Sequence, residues 1–63
     1  MTFNPQDFRQ FIITGTLVNG KRFKPIHTNN WWMANGINLW HGSVWGIRAN
    51  GMPGRVLLKR ITN

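Results

Sequence analysis

The chain has no cysteine, no tyrosine and no glutamate, and Asp7 is its only acidic residue. Without cysteine there are no disulfides and no thiolate metal sites, so burial alone must hold the fold. A metal staple would fall to His27, His41 and Asp7, fewer donors than the four of a closed zinc site. The same shortage counts against catalysis. Ser43, His41 and Asp7 can be written down as nucleophile, base and orienter, but such a trio arises by accident in a chain of this size. His41 beside Gly42 reads better as a turn residue, and no glycine loop ending in Lys-Ser/Thr is present to cradle phosphates. No enzymatic activity, cofactor, metal or small-molecule substrate is expected.

Long apolar runs are missing too. The stretch from Pro25 to Ile47 has no charge, but Asn29, Asn30, Asn35, Asn38 and several glycines interrupt it, so it does not read as a membrane span. The first 13 residues carry Asp7 and Arg9 before any apolar segment develops, unlike a secretory signal. A soluble, cytoplasmic chain is expected. Its 63 residues allow one small domain with little margin of stability.

What is present is basic and aromatic. Eight Lys and Arg against one acid leave a net charge of +7, a balance tolerated more easily when a polyanion neutralises it. All eight cations lie outside the uncharged stretch, which holds Trp31, Trp32, Trp40 and Trp45.

Turn signals organise the chain. Asn-Gly occurs at Asn19-Gly20, Asn35-Gly36 and Asn50-Gly51, a near-even rhythm that suggests an antiparallel all-β meander. A three-residue loop, Val18-Asn19-Gly20, sets Leu17 against Lys21 and gathers Phe11, Ile13, Leu17 and Phe23 on one face, with Thr14, Thr16, Arg22 and Lys24 on the other. A two-residue loop would put Arg22 and Lys24 on the apolar face, at the cost of burying charge.

In the middle segment, strands on both sides of Asn35-Gly36 and a tight turn at His41-Gly42 would pair Trp31 with Trp40 and Trp40 with Ser43. Trp32, Ala34, Ile37, Leu39 and Val44 then form the core, and Trp31, Met33, Asn38, Trp40, Ser43 and Trp45 face outward. In the competing reading Asn29 or Asn30 caps one helical turn through Asn35, with Gly36 as its stop. A last hairpin runs from Ser43 to Arg48 and back from Arg55 to Ile61, its register left open by the long loop. Residues 1 to 9 read as a loosely ordered N-terminal arm with room for a helical turn after Asn4-Pro5, and residues 10 to 63 as a single small β domain. Five or six short strands fit a partly closed barrel of the SH3-like or OB-like kind.

Each tryptophan on its own is a natural core residue, but four in so small a chain, two of them adjacent, suggest that some lie outside. Closure of the barrel would gather Lys21, Arg22, Lys24, Arg48, Arg55, Lys59 and Arg60 for phosphates beside Trp31, Trp40 and Trp45 for stacked bases. The expectation is a basic, non-enzymatic protein that binds single-stranded DNA or RNA. The alternative is an interaction module or inhibitor docking its tryptophan patch and basic rim on an acidic protein, and self-association through a strand edge is a further route. The Lys/Arg-Gly-aromatic-Gly strand motif of the cold-shock and RRM families is absent, so no family resemblance is drawn.

Overall fold

A computed structural model describes residues 3–62. A 3-10 turn at Pro5–Asp7 leads into four strands and one helix: β1 (Phe8–Leu17), β2 (Ile26–Thr28), α1 (Trp31–Gly36), β3 (Leu39–Arg48) and β4 (Arg55–Ile61). The strands form one antiparallel sheet in the order β2-β1-β3-β4. Because β2 and β3 both run against β1, they are parallel to each other, and the link through α1 crosses over β1.

The first hairpin follows the three-residue register. Gly20 N–H donates to the Leu17 carbonyl (2.8 Å), Leu17 N–H donates to the Lys21 carbonyl (2.9 Å), and Thr16 bridges Arg22. Gly20 takes the positive φ, 83°, that this loop requires of its third residue. Phe11 and Ile13 are fully buried, and Leu17 and Phe23 pack against them.

The middle segment departs from the strand reading. Residues 31 to 36 are helical because Asn30 supplies what a short helix lacks at its start: its Oδ1 accepts from the backbone N–H of Trp32 (2.9 Å) and Met33 (3.3 Å). Six residues make a marginal helix on their own, so tertiary packing must hold it, and Trp31 and Ala34, three apart, bury against the sheet. The pairing of Trp31 with Trp40 is therefore corrected. The core tryptophan is Trp31, 7% exposed, and Trp32 is 77% exposed, the reverse of the strand parity. Replacing the cap by alanine, Asn30→Ala, is expected to cost about 1 kcal/mol, read as a lower urea midpoint at unchanged slope.

The expected turn at His41-Gly42 is also corrected, since β3 runs through it without a break. Gly42 lies directly opposite Gly15 on β1, and the strands approach there so closely that a Cβ on either glycine would strike the backbone of the other strand. Just beyond, Thr16 pairs with His41 but Leu17 pairs with Leu39. The extra residue, Trp40, is a bulge that resets the alternation and turns Leu39 inward to join Val44.

The all-β, antiparallel class holds, with four strands where five or six were expected. One helix and one long β3 replace three of the short strands. The sheet stays open instead of closing, with β2 and β4 as its edges. Its core, Phe11, Ile13, Trp31, Ala34, Leu39 and Val44, lies between the sheet and α1. Phe3 and Phe8, within the N-terminal nine residues, close one end of it: the Phe3 ring meets Trp31 edge-on at 4.9 Å and Phe8 at 5.9 Å.

Candidate nucleic-acid interface

Alternation across the sheet puts every second residue opposite the core. Phe11, Ile13 and Val44 point toward α1, so Ile12, Thr14, Ser43 and Trp45 point the other way. The Cα extents of 36 × 23 × 16 Å are thin in one direction, and α1 is the one helix longer than a single 3-10 turn among the described residues. The second face of the sheet is left as a single layer.

The register lays this open face out in rows. His27, Ile12, Trp45 and Leu57 form one row across all four strands. Gln10, Ile47 and Arg55 form the next toward the β3–β4 loop, and Thr14, Ser43 and Arg60 the next the other way. Beyond that row, Arg22, Thr16 and His41 lie side by side. The centre is thus apolar, its flanks carry hydroxyl and amide groups, and arginines occupy the rim.

Trp45 is the centrepiece. The Arg55 guanidinium sits 4.5 Å from the centroid of its indole, a cation–π contact that holds the ring and adds a second flat surface above it. Trp40, 46% exposed, lies at the far end of the face with its ring 4.4 Å from that of His41. With one acidic side chain in the whole sequence, the rim arginines have almost nothing of opposite charge to neutralise them.

No family model, curated protein or solved structure matches this chain.

The sheet gathers some of the expected site residues and disperses others. Trp40, Trp45, Arg22, Arg55 and Arg60 belong to the open face or its rim, and Arg48 ends β3 beside the loop. Trp31 is withdrawn into the core. Lys59 is turned to the other side: a bulge in β4 sets Lys59 opposite Val44 and Leu57 opposite Trp45, and the Lys59 ammonium donates to Asn35 Oδ1 (2.9 Å) in the last turn of α1. A cation there also complements the helix dipole. Lys21 and Lys24 are exposed about the first hairpin. Arg22 and Arg60 are not brought together by closure; β1 and β3 lie between them, a distance of roughly 14 Å at three strand spacings.

Sequence reasoning passed over Ile12, Ile47, Leu57 and Arg9. The runs Phe11-Ile12-Ile13 and Val56-Leu57-Leu58 carry the missed signal, because an unbroken apolar run places apolar groups on both faces of a strand. Arg9 had no such signal, since its position depends on an irregularity in the β1–β3 register between Phe8 and Gln10. Among the described residues no three His, Cys, Asp or Glu side chains come together to hold a metal, and no helix is long and apolar enough to cross a membrane.

Proposed function

We propose that this protein binds single-stranded DNA or RNA across the open face of its sheet, without catalysing a reaction. The observation that carries the reading is Trp45 at the centre of an uncovered face, stacked with Arg55 and bordered by further arginines. A base stacks on the Arg55 guanidinium plane or takes its place on the indole, and in either arrangement a flat partner is retained. Arg22, Arg55 and Arg60 draw in the phosphates, and Thr14, Thr16, Ser43 and Gln10 offer hydrogen bonds to base edges or sugars. Stacking tolerates all four bases, so weak sequence preference goes with this reading.

Intrinsic tryptophan fluorescence, titrated with a mixed-sequence single strand and with duplex at two salt concentrations, tests it. Trp45→Ala is expected to weaken single-strand binding by about 1–3 kcal/mol and duplex binding far less. Arg55→Gln with Arg60→Gln is expected to flatten the dependence of log K on log salt by about 1.4, two counterions at about 0.7 each. Equal losses on single strand and duplex would sink the stacking model.

A second reading draws on the opposite side of the molecule. Trp32 and Met33 stand exposed on α1, an apolar pair suited to a protein contact. Strand binding that vanishes with modest salt would favour docking on an acidic protein.

A further inference from the structure

Three arginines from three separate segments border the β3–β4 loop. Arg9 comes from the irregular pairing near the start of β1, Arg48 from the last residue of β3 and Arg55 from the first residue of β4. Together they line a cleft of about 670 Å³ whose far wall is the β3–β4 loop around Met52-Pro53. Ile47 forms part of the lining, and no acidic side chain does. The loop is anchored at its start to the turn before β1 and closed on itself by a local bond. Ala49 N–H donates to the Asp7 carbonyl (2.9 Å), and Met52 N–H donates to Asn50 Oδ1 (3.1 Å).

We propose that this cleft takes a terminal phosphate, making the protein a binder of strand ends. The inference rests on the reading of the open face as a nucleic-acid surface. Guanidinium groups are permanently charged and pair with phosphate oxygens two at a time, which suits them to this ligand above other anions. Charge then selects the end of a strand over its interior. A terminal phosphomonoester carries about −1.5 to −2 at neutral pH with three acceptor oxygens, against one charge for an internal diester, and a cleft lined by three arginines favours the former. Size agrees, because the cleft falls in the range of about 300–1,000 Å³ typical of small-molecule sites and so admits the terminal nucleotide with its phosphate. Position agrees as well. Ile47 lies two residues beyond Trp45 on the same face, roughly 7 Å along the strand, so a base stacked at Trp45 has its backbone within reach of the cleft.

The test compares one mixed-sequence single strand in three forms, with a 5′-phosphate, with a 3′-phosphate and with hydroxyls at both ends, titrated into the wild-type protein, Arg9→Gln and Arg48→Gln. One of the phosphorylated strands is expected to bind about tenfold more tightly than the hydroxyl-ended strand, and which one it is assigns the polarity. Arg9 is exposed, so Arg9→Gln is expected to leave the fold intact and to weaken the preferred phosphorylated strand more than the hydroxyl-ended strand, removing most of that preference. Arg48→Gln should behave alike. Equal binding of all three strands, still sensitive to Trp45→Ala, would overturn the end-binding inference and leave the open-face reading standing. A preference that survives both arginine variants would also overturn it, by placing the phosphate elsewhere. No binding of any strand at near-physiological salt would overturn the inference and the reading beneath it together.

Discussion

Gly15→Ala is expected to unfold this protein. Gly15 has a φ of 138°, a conformation that side chains rarely allow, and a Cβ there would run into the carbonyl of His41 and the Cα of Gly42 on the adjacent strand. These are backbone atoms of the central β1–β3 pair, so no side-chain rotation relieves the collision. The strands would have to separate, at a cost of more than about 4 kcal/mol. A domain of this length has only roughly 3–9 kcal/mol of stability in total. Gly36→Ala is the control, because its added Cβ would meet nothing within 4 Å and Gly36 does not have positive φ; it is expected to be neutral or to stabilise by up to about 1 kcal/mol. Urea denaturation followed by near-UV circular dichroism separates the two. A Gly15→Ala protein that still unfolded cooperatively, within about 1 kcal/mol of wild type, would mean that β1 and β3 do not pair with Gly15 opposite Gly42.

The second large effect divides two neighbours. Trp31→Ala is expected to cost about 3–5 kcal/mol, because the indole fills the space between sheet and helix and touches Phe3 and Phe11, whose ring centroids lie 4.9 and 5.3 Å away. Trp32→Ala should change stability by no more than about 0.5 kcal/mol, since most of that side chain is in solvent. Trp31→Phe should be much milder than Trp31→Ala. The Trp31 Nε1 is buried and has no acceptor among the described residues, so phenylalanine keeps much of the apolar volume and removes a donor left unsatisfied. Urea midpoints of the three variants give the comparison. If Trp32→Ala proved the costly one, residues 31 to 36 would be a strand with the parity first expected of them and not a helix.

The features legible in the sequence share one property, a cause that lies within a few residues. Asn19-Gly20 selects the three-residue hairpin, and the cost of burying Arg22 and Lys24 sets its register, so Phe11, Ile13, Leu17 and Phe23 could be assigned to one face before any fold was known. The Asn30 cap was legible only as an alternative. Asn35-Gly36 signals a hairpin turn and a helix stop equally well, and the choice between them falls to whichever places Trp31 and Ala34 against β1.

The candidate site was less legible, because it rests on register between distant strands. Trp40 and Trp45 are five residues apart, and unbroken alternation within one strand would set them on opposite faces; the bulge at Trp40 changes that, and bulges have no reliable local signature. Alternation alone sends Lys59 and its neighbour Arg60 to opposite faces, but which of them turns toward α1 and which to the open face hangs likewise on a bulge in β4. Arg9, Arg48 and Arg55 border one cleft only because β1, β3 and β4 meet beside the same loop. The sequence by itself determined the class of the fold, the first hairpin and the large positive charge, all of which follow from composition and local turn chemistry. Tertiary structure alone decided which tryptophan is buried, that the sheet stays open, and which arginines stand together. Those depend on how strands far apart in the chain align, and a shift of one residue in that alignment moves a side chain from one face of the sheet to the other.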